Sequence, residues 1–190
     1  MSITLITGPS RSGKSEWAEQ LAARDAARNN RQVVYIATAK TTLNDTEWRS
    51  RIDQHRTRRP ISWQTQEVPI ALAEAILSSD RLNPQSCLLV DSLGTWLANL
   101  IEQDDASWEK SQIALIEALK QTDSEVILVA EETGWGIVPA YELGRRFRDR
   151  LGNLNRVIAQ FSTEVYLVTS GYAINLKQLG TPVEGPAHQK

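Results

Sequence analysis

The sequence predicts an α/β fold, a mostly parallel sheet flanked by helices, and three observations carry that prediction. Short apolar runs recur at residues 3–7, 33–37, 87–91, 126–130 and 165–169. These runs are rich in Val, Ile and Leu and lack polar alternation, as expected of strands covered on both faces. Segments with helical spacing separate them, so strand and helix alternate along the chain.

The helical segments follow in order. Residues 15–28 come directly after the first run. Residues 44–58 open on Asn44 with Glu47 three positions on, the pattern of a capping box. Residues 69–79, 93–101 and 108–120 come next, and residues 139–160 begin on Pro139, a residue suited to a first helical turn. Residues 61–68 read as a short strand or a loop. Residues 172–176, after Ser170-Gly171, read as a returning antiparallel edge strand. Residues 1–178 are expected to form one domain, and residues 179–190, rich in Gly, Pro and polar side chains, a flexible tail.

Composition narrows the classes of function. The chain has 190 residues, 41% apolar and 23% charged, an ordinary globular mix. A formal charge of −2 argues against nucleic acid as a partner, so any anion site must be local. The single cysteine, Cys87, lies in an apolar run and reads as a buried hydrophobe. No apolar stretch approaches the roughly 20 residues of a membrane span. The first run begins at once, which leaves no room for a signal peptide and predicts a cytoplasmic setting.

The strongest motif is Gly8-Pro9-Ser10-Arg11-Ser12-Gly13-Lys14-Ser15, which fits G-x-x-x-x-G-K-S/T without a mismatch, between a predicted strand and a predicted helix. It predicts a P-loop of the NTPase type. Backbone N–H groups curl around phosphate oxygens, and the helix N-terminus adds positive potential. Lys14 would reach the β- and γ-phosphates, and the Ser15 hydroxyl would bind Mg²⁺. Asp91 closes the run Cys87-Leu88-Leu89-Val90 and reads either as a second hold on Mg²⁺ or as the cap of the next helix.

A second cluster surrounds His55. Arg49, Arg51, Arg56, Arg58 and Arg59 lie nearby, with Asp53 the acid among them. One reading is a solvated basic face. The other is a polyphosphate surface on which the imidazole attacks phosphorus and the guanidinium groups stabilise the developing charge. His188 is the only other histidine and falls in the expected tail. Further along, Arg145 and Asp149 have the spacing of an i,i+4 pair, and Gly152 that of a close helix contact; phosphate or subunit binding by Arg145 or Arg148 is the competing reading. The tryptophans, Trp17, Trp96 and Trp135 among them, read as core or interface anchors, with Trp48 and Trp63 as exposed candidates for contact with substrate.

Several blocks beyond the P-loop carry a family resemblance. They include Tyr35-Ile36-Ala37-Thr38-Ala39, Arg51-Ile52-x-x-His55-Arg56-x-x-Arg59-Pro60 with Trp63, and Leu89-Val90-Asp91-Ser92-Leu93 with Trp96-Leu97-x-Asn99-Leu100. Glu132-x-Gly134-x-Gly136-Ile137-Val138-Pro139 and Gly144-Arg145-x-Phe147-Arg148-Asp149-x-x-Gly152-x-x-Asn155 follow, with Gly171 and Lys177 beyond. From residue 3 to about residue 177 the chain resembles the bifunctional adenosylcobinamide kinase/adenosylcobinamide-phosphate guanylyltransferases of cobalamin biosynthesis.

The resemblance implies ATP and GTP as substrates, a corrinoid acceptor, Mg²⁺ and a homotrimer. It implies that His55 carries GMP covalently, and that Lys14, with Arg51, Arg56, Arg59 and Asp91, serves the nucleotides. Where the family usually has Asn-Glu-Val-Gly, this chain has Glu131-Glu132-Thr133-Gly134, so Glu132 matches and Glu131 departs. Two other readings are a P-loop small-molecule kinase with a structural His55, and a nucleotide-dependent switch. The absence of an Asn-Lys-x-Asp guanine motif weighs against the switch.

Overall fold

The computed structural model describes residues 2–40, 58–83 and 85–183. Strands β1 (Ile3–Gly8), β2 (Val33–Ala37), β3 (Gln64–Glu67), β4 (Cys87–Asp91), β5 (Glu125–Glu131), β6 (Glu164–Thr169) and β7 (Tyr172–Asn175) form one sheet. Its order is β3-β2-β4-β5-β1-β6-β7. Every neighbouring pair is parallel except β6 with β7, the antiparallel edge expected after Gly171. The helices are α1 (Lys14–Asn29), α2 (Leu72–Leu82), α3 (Leu93–Leu100), α4 (Asp105–Gln121), α5 (Glu142–Phe161) and the short α6 (Leu176–Leu179).

Alternate strand residues feed two cores, because successive side chains point to opposite faces. Val34, Ile36, Leu88, Val90, Val126 and Leu128 pack with Leu72 and Ile76 of α2, Leu93 and Leu97 of α3, Leu115 of α4 and Leu154 of α5. Val33, Tyr35, Leu89, Ile127 and Val129 pack on the other face with Ala18 and Ala22 of α1. A sheet covered on both faces explains the unbroken apolar runs. Cys87 lies in the second core, and burial pushes its thiol up to about 12.

Three helix starts differ from expectation. The helix predicted from residue 108 begins at Asp105, because the Asp104 side chain caps it by accepting from the Ser107 N–H (2.7 Å). The helix predicted from Pro139 begins at Glu142, because the Arg145 guanidinium occupies the carbonyls of Pro139 (3.0 Å) and Ala140 (2.7 Å). The helix predicted from Pro69 begins at Leu72, since Asn99 Nδ2 donates to the Pro69 carbonyl (2.9 Å) and holds that residue in the preceding loop. Residues 64–67 settle as strand, hydrogen-bonded to β2. The helix expected at 44–58 lies, but for its last residue, outside the described residues, as does most of the expected tail. Among the described residues, no helix is long and apolar enough to cross a membrane.

Three other expectations are corrected. Arg145 makes no i,i+4 pair with Asp149; that carboxylate meets the neighbouring Arg148 at 3.0 Å. Gly152 has no close helix contact, since a Cβ there would meet nothing within 4 Å. Trp63, expected to be exposed, is partly buried against the α1-side core; Trp96 is the core residue expected, its indole N–H donating to the Ile70 carbonyl (2.8 Å), and Trp135 is exposed.

Candidate active site at the C-terminal ends of the strands

In sheet order, β5 lies between β4 and β1. The chain after β1 crosses to the β2 side and the chain after β5 crosses to the β6 side, so a crevice opens at these strand ends, where open α/β sheets bind ligands. The end of β1 is the P-loop, the end of β4 is Asp91, and the end of β5, between them, is Glu131. Gly8 is in register with Glu131, and Asp91 with Val129.

The loop is held from outside by its carbonyls. Gly8 O accepts from the Glu132 N–H (2.9 Å), Ser12 O from the Gly171 N–H at the β6–β7 turn (3.1 Å), and Gly13 O from the Trp17 N–H (2.9 Å). Gly13 caps α1 with φ 95°, in the region that favours glycine. The first amides of α1 have no intrahelical acceptor and remain for an anion. Lys14 is largely buried and its Nζ donates back to the Pro9 carbonyl (3.2 Å), so the ammonium is already folded over the loop. Gly8 permits the close approach of β6: a Cβ there would stand 2.2 Å from the Val168 carbonyl oxygen.

Asp91 is not a helix cap. That role belongs to Ser92, whose Oγ accepts from the Thr95 N–H (3.2 Å) at the start of α3. This removes the competing reading of Asp91, whose Oδ2 accepts from the Tyr35 hydroxyl (2.7 Å). Burial, reinforced by the Asp91 charge, pushes the Tyr35 phenol up and keeps it a proton donor. Thr38 secures the backbone that follows: its Oγ1 donates to Ser92 O (2.7 Å) and accepts from Ser92 N–H (2.9 Å), while Asn99 holds the Thr38 carbonyl (2.8 Å).

Glu131 is the residue that sequence reasoning missed as a site residue. Its Oε1 accepts from the Ser92 hydroxyl (2.6 Å), whereas Oε2 is buried without a hydrogen-bond partner. The carboxylate fits because residue 94 is glycine; a Cβ there would lie 1.9 Å from Oε2. Burial pushes the Glu131 carboxyl up, opposed by the Ser92 hydrogen bond and the Lys14 charge, with the Asp91 charge adding to the rise. The available signal was the one that flagged Asp91, an apolar strand closing on an acid.

The arginine–histidine cluster is described only at its end. His55, Arg51 and Arg56 lie outside the described residues. Arg58 pairs with Glu16 and Glu19 on α1, and Arg59 lies over the Tyr35 ring, 3.3 Å from its centroid. The structure therefore brings Arg59 against the tyrosine that holds Asp91.

Ser15 and Asp91, with Glu131 on the strand between, offer oxygen donors only, the chemistry of a hard cation such as Mg²⁺. The undonated Oε2 of Glu131 fits a nearby cation or its water. Together, a preorganised anion loop, a cation-compatible acidic edge and a buried ammonium can bind and orient a magnesium nucleoside triphosphate.

Comparison with known proteins agrees over nearly the full chain. Residues 4–176 match the family described as cobinamide kinase / cobinamide phosphate guanyltransferase. The bifunctional adenosylcobalamin biosynthesis protein CobP of Pseudomonas aeruginosa PAO1 is 42% identical over 174 residues, covering 91% of this chain and 96% of that protein. The bifunctional adenosylcobalamin biosynthesis protein CobU of Escherichia coli K12 is 35% identical over 187 residues, covering 91% and 98%. Its Salmonella typhimurium LT2 namesake is 36% identical over 187 residues, with the same coverage.

Proposed function

Because the chain belongs to the cobinamide kinase / cobinamide phosphate guanyltransferase family, we propose that it is a bifunctional cytoplasmic enzyme of cobalamin biosynthesis. In its kinase reaction the aminopropanol hydroxyl of adenosylcobinamide attacks the γ-phosphorus of a nucleoside triphosphate and expels the diphosphate. In its transfer reaction a His55 ring nitrogen attacks the α-phosphorus of GTP and expels pyrophosphate. A phosphate oxygen of adenosylcobinamide phosphate then attacks the same phosphorus, forming adenosylcobinamide-GDP and releasing the imidazole. The observation that carries this reading is an intact, preorganised P-loop inside a family match spanning residues 4–176.

The residues divide the work by chemistry. Lys14 and the amides of the loop from Gly8 through Pro9, Ser10, Arg11, Ser12 and Gly13 to Ser15 bind and orient the triphosphate. Ser15 and Asp91 would hold Mg²⁺, which would neutralise charge on the bound triphosphate. Tyr35 fixes the orientation of Asp91. Arg51, Arg56 and Arg59 stabilise the phosphate charge around His55. A homotrimer is the assembly we infer; exposed apolar side chains at Trp135, Ile137, Val138 and Tyr141 support association between copies.

Incubation with α-labelled GTP tests the transfer reaction. The protein should take up label that acid removes and alkali leaves, because a P–N bond breaks when its nitrogen is protonated. His55→Ala should abolish labelling while phosphorylation of adenosylcobinamide survives at least in part, and His188→Ala should change neither. Labelling that persists in His55→Ala, or that resists acid, refutes the histidine.

A further inference from the structure

We propose that Glu131 is the second carboxylate of the divalent-cation site: with Oε1 fixed by Ser92, its Oε2 accepts a hydrogen bond from a water bound to the cation that Ser15 and Asp91 hold. The inference rests on the reading of Ser15 and Asp91 as the metal side of the nucleotide site.

Position is the first support. Strand β5 lies directly between the P-loop strand β1 and the Asp91 strand β4, and Glu131 ends it in register with Gly8. Neighbouring strands are about 4.8 Å apart, so the β1 and β4 ends stand roughly 10 Å from one another with Glu131 between them. Among the described residues, no other strand lies between these two.

The second support is the unequal state of the two carboxylate oxygens. Oε1 is tied to Ser92, the residue that follows Asp91, so the same turn fixes both acids. Ser92 is itself clamped through its backbone by Thr38 and through Oγ to Thr95. Oε2 is shielded from solvent and receives no hydrogen bond. A buried carboxylate oxygen without a donor costs free energy unless a partner arrives with the ligand. The groups that act electrostatically on it are Lys14 and Asp91, a phosphate-binding ammonium and a metal-binding acid.

The third support is Gly94. Only a residue without Cβ leaves room for Oε2 at the start of α3. The carboxylate is thus built into the site from β5, from the Asp91–Ser92 turn and from α3, rather than resting on a surface.

Binding of Mn²⁺ to the protein saturated with the non-hydrolysable β,γ-imido analogue of ATP, followed by water-proton relaxation, tests this without turnover. Glu131→Gln keeps the shape and the acceptor for Ser92 but replaces the free oxygen or its charge. It should weaken Mn²⁺ binding about 10–100-fold, the usual effect of losing a residue that supports metal ligands, while metal-free analogue binding is unchanged or tighter. Ser92→Ala leaves the carboxylate but frees it, and should weaken Mn²⁺ binding by a smaller factor. Wild-type Mn²⁺ affinity in Glu131→Gln, or in Ser92→Ala should the first variant not fold, overturns the proposal. If Asp91→Asn still weakens Mn²⁺ binding, only the role of Glu131 falls. If Ser15→Ala and Asp91→Asn are equally silent, the metal-site reading falls with it.

Discussion

The P-loop and the segment 133–141 leave the sheet from adjacent strands, β1 and β5, yet they are built in opposite ways. The P-loop is polar, but its carbonyls are bonded to the scaffold at Glu132, Gly171 and Trp17, and Ser12, Lys14 and Ser15 are nearly buried. Segment 133–141 is apolar, but Trp135 is 62% exposed and Ile137 97%. A loop that must surround a small anion needs every atom fixed before the ligand arrives, since ordering it afterwards would consume binding free energy. A loop that another chain will cover can leave its apolar groups outside, because that partner supplies the packing. The polar loop is therefore held within one chain, whereas the apolar loop, on the proposed homotrimer, takes its packing from a neighbouring copy.

The largest effects should come from breaking the polar loop. Lys14→Ala removes the ammonium nearest the β/γ-phosphates and should lower the kinase kcat/KM by at least about 10²–10³-fold, the range for loss of one charge-stabilising group, with the thermal midpoint little changed. Gly8→Ala should match that loss for a different reason. Its Cβ meets backbone, 2.2 Å from the Val168 carbonyl oxygen, so β1 and β6 must separate and the loop shifts with them. Calorimetry of triphosphate binding checks both: Lys14→Ala should be folded and weak, Gly8→Ala weak and less stable. Near-normal binding in folded Lys14→Ala would remove the P-loop assignment.

Gly94→Ala should have an intermediate effect. The added methyl meets the Glu131 carboxylate rather than backbone, so the side chain can swing away, at a cost of about 1–3 kcal/mol for overpacking. Denaturant unfolding reads that cost. Combining the change with Glu131→Ala should recover most of it, because the clash and its partner disappear together. No recovery would mean that Gly94 is required by α3 itself.

These residues also mark what was legible in the sequence. The alternation of apolar runs and helical segments predicted the sheet, because strands buried on both faces have no polar period to confuse. The P-loop was legible because one chemical task requires fixed residue types at fixed local spacing. Asp91 was visible at a strand end, but its rival role as a cap could be dismissed only when Ser92 was seen to hold the Thr95 amide. Glu131 and Gly94 are 37 residues apart in sequence and meet only through the order β4-β5-β1, which no local pattern encodes. Pro139 and Pro69 misled for a related reason: a proline suits a helix start, but Arg145 and Asn99 took the neighbouring carbonyls from a distance.

On the apolar loop, Trp135→Ser with Ile137→Ser should leave the unfolding free energy of the separated chain within about 0.5 kcal/mol, as for surface substitutions. Sedimentation velocity should nevertheless show dissociation toward monomer, with analogue binding at the P-loop retained. An unchanged sedimentation coefficient for a wild-type trimer would place the subunit contact elsewhere.

The smallest effect should be the pH dependence of Glu131, and it tests whether the polar region carries a cost that the apolar loop does not. Burial raises the Glu131 carboxyl above its ordinary value of 4.5. A carboxyl raised on folding gives stability that is full below its unfolded pKa and is lost as pH rises through the folded value. Without nucleotide or divalent cation, the wild-type chain therefore gives up some stability as pH climbs out of the carboxylate range. Glu131→Gln cannot, because its amide stays neutral throughout. The two proteins should unfold at nearly the same temperature at about pH 4, where both side chains are uncharged, and Glu131→Gln should unfold at the higher temperature by pH 7. Mn²⁺ with the ATP analogue should shrink or reverse that gap, since the cation makes the charged form the favoured one. Two unfolding curves that stay superimposed from pH 4 to 8 would show that the carboxylate is solvated and that its second oxygen has no need of a ligand.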